Sequence, residues 1–154
     1  MIDTLKLARA AQAALIAEKQ TKLPKEITLA QWALESGWGQ HEPGNNCFGI
    51  KSYPNDTGQQ ELMTCEVYSG VTKKVWQYFA TFPTLGDCFT KHAQLITQSP
   101  RYSMPWGNFL ANGDVNQLVD GIAPIYATDR SYALKLHSIL AMAEVQAALK
   151  NATA

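Results

Sequence analysis

Charge of one sign is what this sequence has least of to spare. Its 154 residues hold 13 Lys plus Arg against 13 Asp plus Glu, and charged residues make up only 17% of the chain. Such a balance offers no basic face for nucleic acid and no polybasic attraction to an anionic membrane. Long hydrophobic runs are also missing. No stretch approaches the roughly 18–20 apolar residues of a membrane span. The start, Met1-Ile2-Asp3, carries an acid where a secretory leader has a basic segment, so a first helix is expected there and a signal peptide is not. Cysteine is scarce and odd in number, three residues with no CxxC pair. His41, His92 and His137 do not complete a zinc-ligand spacing, so no metal is expected. Cys47, Cys65 and Cys88 are expected as small, semi-buried apolar residues, with one disulfide such as Cys47–Cys65 as the lesser alternative. Internal repeats, low-complexity tracts and long linkers are absent too, which predicts a single domain over 1–154.

What is present is mostly helical period. Asp3 or Thr4 can cap a first helix, along which Leu5, Ala8, Gln12, Leu15, Ile16 and Lys19 keep near the helical spacing. Pro24 restarts the chain, and Ile27, Ala30, Leu34 and Trp38 form the stripe of a second helix that Gly37 ends as a left-handed cap. Residues 40–60 are turn-rich, in His41–Asn46 and Tyr53–Gly58, with Phe48-Gly49-Ile50 as a short buried piece between. The period then changes. Glu61–Tyr68 and Val71–Phe79 read as strands joined by a Ser69-Gly70 turn.

Helices resume at Thr84, and Leu85, Cys88, Phe89, His92, Leu95 and Ile96 keep the spacing as far as Pro100. Arg101–Asn112 reads as a loop holding Trp106 and Phe109. Asp114 caps a short helix with Val115, Leu118, Val119 and Ile122, which Pro124 breaks. Asp129 is the expected N-cap of one long last helix, with Tyr132, Leu136, Ile139, Leu140, Ala143 and Ala147 on its buried face and residues 151–154 fraying. The fold class is α+β, mainly α: a helical body with one inserted hairpin.

One carboxylate stands out. In Ala33-Leu34-Glu35-Ser36-Gly37-Trp38-Gly39, two glycines stop a helix within four residues of Glu35. A carboxylate at a helix C-terminus meets the negative end of the dipole, and Trp32 and Trp38 are close enough in sequence to desolvate it. Both influences raise its pKa. An acid still protonated near neutral pH can give its proton to a leaving oxygen, as glycosidic cleavage requires.

Those seven residues, with Gln31 before them, resemble the signature of glycoside hydrolase family 73, the bacterial and phage endo-β-N-acetylglucosaminidases of peptidoglycan. Asn45-Asn46-Cys47-Phe48-Gly49-Ile50-Lys51 is similar to the family's second block, and Tyr126–Ala133 with Lys135-Leu136 to its third. The three blocks stand in the family's order from Gln31 to about Leu140. Cys47, where an aliphatic residue is more usual, and Arg130, where proline is frequent, depart from the pattern without removing a catalytic group.

The resemblance implies a lysozyme-like helical fold with a small β-hairpin lobe flanking the active-site cleft. The activity it implies is hydrolysis of the β-1,4 bond between N-acetylglucosamine and N-acetylmuramic acid. Glu35 then matches the proton donor. Thr64-Cys65-Glu66 fits the place of a second acid, with Glu61 and Asp56 as competitors and the substrate's own 2-acetamido group as a further alternative. Tyr126 is the third catalytic candidate. Gln31, Trp38, Asn46, Phe48, Tyr78 and Thr128 are the candidate substrate contacts, and Trp76 and Trp106 are further aromatic rings able to stack on sugars.

No cofactor is implied. The expected partner is the peptidoglycan glycan strand, acted on by a monomer in the periplasm or cell wall. Phage endolysin and antibacterial effector are both compatible with a chain lacking an evident leader. The effector route adds an immunity protein that occludes the cleft. The competing functions are a lytic transglycosylase of the same fold and a non-catalytic peptidoglycan-binding module.

Overall fold

The structure, a computed structural model, describes residues 1–53, 56 and 58–153. Pro54, Asn55 and Thr57 of the expected 53–58 turn, and Ala154 of the expected frayed end, lie outside the described residues. The elements in chain order are α1 (Thr4–Thr21), α2 (Lys25–Glu35), β1 (Gln59–Tyr68), β2 (Val71–Ala80), α3 (Leu85–Gln98), α4 (Ser103–Asn112), α5 (Val115–Tyr126), α6 (Tyr132–Leu140) and α7 (Ala143–Asn151). Short 3-10 turns cover Pro43–Asn45 and Pro100–Tyr102.

Asp3 caps α1, its carboxylate accepting from the Leu5 and Lys6 amides. The buried face of α1, however, is Leu7, Ala10, Ala11, Ala13, Ala14 and Ala17, while Leu5, Ala8, Gln12 and Lys19 are exposed. The expected face was wrong because it followed the larger side chains. Alanine lets a neighbouring helix approach closely, and α3 does so. A Cβ at Gly86 of α3 would stand 3.2 Å from Ile16 of α1. Thr84 and Asp87 form a capping box at the start of α3. Trp32, Leu29 and Ile27 of α2, Phe89 and Ile96 of α3, Leu118 and Ile122 of α5 and Leu136 of α6 fill the centre.

Three more helical expectations are corrected. Residues 103–112 form α4. Pro105 sits in its first turn, where the missing N–H would have had no partner, and Gly113 at φ 68 closes it. Pro124 does not end α5, which runs on to Tyr126, the Ala127 amide still reaching the Ala123 carbonyl at 3.0 Å. The last helix is two. Met142 turns extended (φ −70, ψ 133), the Gln146 side chain donates to the Leu140 carbonyl at 2.6 Å, and α7 buries Val145 and Leu149 while Ala143 and Ala147 face solvent.

The strands pair antiparallel, with Leu62 opposite Gln77 and Glu66 opposite Lys73. Ser69 and Gly70 both have positive φ (50 and 79), the two-residue hairpin turn with the twist that strands favour. Gln60, Leu62, Thr64 and Glu66 share one face with Val75, Gln77 and Phe79. Glu61, Met63, Cys65, Trp76 and Tyr78 lie on the other face, open to solvent. The cysteines divide accordingly. Cys65 is exposed, while Cys47 and Cys88 are buried with sulfurs 3.6 Å apart, so the Cys47–Cys65 pairing is not formed.

Candidate active site

Glu35 is the last residue of α2. Beyond it Gly37, Trp38 and Gly39 all take positive φ (59, 59 and 79), and the Trp38 amide reaches back to the Ala33 carbonyl at 2.9 Å. Ser36 is fully buried, its hydroxyl donating to the Trp32 carbonyl at 2.6 Å and accepting from the Gly39 amide at 2.8 Å. This reversal is tied to α1: Lys6 donates to the Gly39 carbonyl at 3.0 Å, and Glu42 accepts from both Arg9 and the Trp32 indole. The helix therefore ends at a fixed point, with Glu35 pointing into a cavity of about 190 Å³ lined also by His41, Pro43, Asn46, Cys47, Gly49, Leu62 and Phe79.

One side of Glu35 meets solvent and the other meets protein. Burial raises its pKa above the usual carboxylate value, opposed by a hydrogen bond from the Tyr132 hydroxyl to Oε1 at 3.1 Å. Behind Tyr132 lies a buried chain. Gln31 Nε2 donates to the Tyr132 oxygen at 3.4 Å, and Gln31 Oε1 faces His92 Nε2 at 2.8 Å. Because Oε1 can only accept, the His92 Nε2 carries its proton, and every donor in the chain points toward Glu35. Burial holds the His92 pKa down to about 3, so the ring is neutral. Phe48 stacks flat on it (centroids 3.8 Å apart), and Tyr126 meets it edge-on at 5.6 Å while stacking on Tyr132 at 5.5 Å. Burial raises the pKa of both tyrosines, which remain neutral donors.

A second cavity, about 580 Å³, opens on the far side of Gly49, with Phe48, Ile50, His92, Tyr102 and Tyr126 among its walls. Tyr126 and Phe48 thus line a cavity that adjoins the one holding Glu35, as a cleft site would require. Glu66 shares a strand face with Leu62 and is held by Lys51 at 3.2 Å. Four residues along a strand span about 13 Å, so Glu66 is on the cleft side without lining the pocket of Glu35.

Several expected contacts take other parts. Gln31 is fully buried in the chain to Glu35 and has no free edge for a sugar. Asn46 is spent on closing its loop and tying it to the end of β2: Nδ2 donates to the Ile50 and Ala80 carbonyls at 2.8 and 2.9 Å, and Oδ1 accepts from the Ile50 amide at 3.1 Å. Trp38 packs edge-on against Trp32 at 6.2 Å, and Trp106 stacks on Phe109 within α4. Tyr78 and Trp76 lie on the face of the hairpin opposite Leu62 and Phe79, because strand parity sends them outward. Thr128 is exposed and lines neither cavity. Asp129 does not cap α6 as its N-cap residue. It acts from two residues before the N-cap Ser131, accepting from the Ser131 amide at 2.9 Å and pairing with Lys135, which holds its carboxyl down to about 2.

Tyr132, His92 and His41 were not anticipated in these positions. Tyr132 lies within the third block, and His92 on the apolar stripe of α3. Either was a signal only for core packing until the fold brought them to Glu35. Among the described residues no group of three His, Cys, Asp or Glu side chains converges on a metal site, and no helix is long and apolar enough to cross a membrane.

Residues 11–144 match the family model Glucosaminidase, described as mannosyl-glycoprotein endo-beta-N-acetylglucosaminidase. The chain belongs to this family. It is 34% identical over 142 residues to the peptidoglycan hydrolase FlgJ of Escherichia coli K12, covering 87% of this chain and 44% of FlgJ. It is 33% identical over 134 residues to the exo-glucosaminidase LytG of Bacillus subtilis, covering 83% of this chain and 46% of LytG. The chain thus spans less than half the length of either relative. The solved glycoside hydrolase domain of FlgJ from Salmonella typhimurium superposes with a TM-score of 0.71 at 32% identity, over 98% of this chain and 100% of that one. Family membership makes the chain a glycoside hydrolase, and its helical body with a two-stranded lobe is the lysozyme-like architecture.

Proposed function

We propose that this chain hydrolyses the β-1,4 bond between N-acetylglucosamine and N-acetylmuramic acid in peptidoglycan, with Glu35 as general acid. The observation that carries this is a single carboxyl at a fixed helix end, facing a cavity, with its pKa raised by burial and its orientation set by Tyr132. An acid in that state gives its proton to the glycosidic oxygen as the bond to the anomeric carbon lengthens. Tyr126, beside Tyr132 at the next cavity, donates a hydrogen bond to the sugar on the far side of Gly49. Phe48 offers an apolar wall there. The similarity to FlgJ, a peptidoglycan hydrolase, supports peptidoglycan as the substrate, and that to LytG, an exo-glucosaminidase, supports the glucosaminidase chemistry.

Water attack needs a base or an internal nucleophile. Glu66 serves as base if the hairpin closes to bring the carboxyls within roughly 6.5–9.5 Å, which gives inversion. Otherwise the substrate acetamide attacks, which gives retention. The product anomer decides, together with Glu66→Gln: a hundredfold or greater loss of kcat, as an order of magnitude for a lost general base, supports Glu66.

Digestion of purified sacculi tests the whole reading. New reducing-end N-acetylglucosamine is expected from the wild type, and none from Glu35→Gln. Anhydro-muramic ends would instead mark a lytic transglycosylase. Undiminished digestion by Glu35→Gln would refute the assignment of the acid. The work is done in the periplasm or cell wall, with a phage endolysin or an antibacterial effector as the route. Toxicity on export to the periplasm, absent in the cytosol, fits both, and a cognate inhibitor covering the cleft singles out the effector.

A further inference from the structure

The overall charge balance makes one local imbalance informative. The cavity beyond Gly49 is lined by three cations and a single acid, Lys51, Lys91, Arg101 and Asp56. The cations come from three separate places: the loop before the hairpin, the solvent side of α3, and the 3-10 turn before α4. Lys51 shares its charge with Glu66. Lys91 has no ion pair among the described residues. Arg101 gives one nitrogen to the Ile125 carbonyl at 2.9 Å and lies 5.9 Å from the Tyr102 ring, and its remaining donors have no partner among the described residues. Between the cations the walls are apolar, from Phe48, Ile50, Leu95 and Ile96.

Sugar rings and acetamido groups call for neutral donors, acceptors and aromatic planes. They give no reason to gather cations. An apolar floor under a basic rim suits a short peptide with small apolar side chains and free carboxylates. In peptidoglycan such a peptide hangs from the lactyl group of the muramic sugar, beside the bond that Glu35 addresses. Tyr126 belongs to this cavity and stacks on the tyrosine that holds Glu35, so cavity and acid are contiguous.

We propose that the basic rim of this cavity, beyond the part where Tyr126 and Phe48 meet the sugar, is a subsite for the anionic stem peptide, with Lys91 and Arg101 receiving its carboxylates. The proposal rests on peptidoglycan being the substrate. It makes the enzyme selective for strands that still carry their stems over strands from which an amidase has removed them.

The test compares kcat/KM on stem-bearing and stem-stripped glycan strands of equal length, for the wild type and for Lys91→Glu with Arg101→Glu. The wild type is expected to prefer stem-bearing strands by about tenfold at low salt, with the preference shrinking as ionic strength rises. In the double variant the preference ratio falls to near one. A ratio on one protein preparation cancels any general loss of folded enzyme. Binding to the Glu35→Gln protein gives the same ratio without turnover. Equal use of both strands by the wild type, or a preference that survives the charge reversals, overturns the subsite while leaving the glucosaminidase reading intact. If neither strand is cut or bound, that reading fails and takes the subsite with it.

Discussion

Two opposed influences act on Glu35, and their balance sets the pH range of the enzyme. Burial favours the neutral acid, whereas the Tyr132 hydroxyl, donating to Oε1, favours the carboxylate. Tyr132→Phe removes only the second influence, so the Glu35 pKa rises further. A general acid must be protonated to act, and its pKa sets the alkaline limb of kcat/KM. That limb is expected to move to higher pH in Tyr132→Phe, while kcat drops about tenfold because the acid is no longer aimed. An alkaline limb that stays in place or moves down would show that Tyr132 does not touch the ionising group. The residue scale is also where the sequence was least legible. A glutamine inside a matched block reads as a ligand to substrate, yet Gln31 spends its amide on His92 and Tyr132. Asn46 reads the same way and spends its amide on Ile50 and Ala80. Partners up to 101 residues away decide these roles, and no local pattern contains them.

At the scale of elements, the punctuation of the sequence was read well where it was local. Asp3 and Asp114 cap as expected, and Ser69-Gly70 turns the hairpin. Pro124 misled: it takes the i+4 donor from the Asp120 carbonyl, yet the helix runs on past it to close Ala127 on Ala123, and Pro105, in the first turn of α4, takes nothing the helix needs. The split between α6 and α7 carries no glycine or proline at all. The element that matters most is the reversal after α2. Gly39 stands at φ 79, where an added Cβ would lie 2.9 Å from the Trp32 ring and 3.3 Å from Lys6. Gly39→Ala therefore combines left-handed strain with overlap against a fully buried indole, at a cost of about 2–4 kcal/mol, or a fall in Tm of roughly 5–15 °C. Gly113→Ala is the matched control, since Gly113 has a similar φ of 68 but open space around its Cβ position. It should cost only about 1 kcal/mol. Equal losses at the two sites in thermal unfolding would mean that backbone strain alone matters and that the reversal is not a crowded joint.

The whole molecule is a helical body carrying a lobe that it barely holds. Neither strand packs extensively on any helix. The joints are at the hairpin base: Asn46 to the Ala80 carbonyl, the Ala80 amide to Ile50, the Phe82 amide to Gly44, and Gln60 to Pro43. Toward the tip, residues 67–74 are all exposed, and Lys51–Glu66 is the ion pair on that side. A pair so open to water contributes at most about 1 kcal/mol. The tip therefore has little to lose by opening, whereas α1 and α3 open only when the core does. In native-state hydrogen exchange, the paired amides between Glu66 and Lys73 are expected to exchange through local opening, insensitive to low denaturant, while those of Ala10–Ala17 and Phe89–Ile96 follow global unfolding. Lys51→Ala should speed exchange at the tip and leave the helices unchanged. If instead the tip amides show the same free energy of opening as α1, the hairpin is a rigid wall. Glu66, about 13 Å along the strand from Leu62, would then be unable to reach the site of water attack, which leaves the substrate's acetamide or Asp56 at the adjoining cavity.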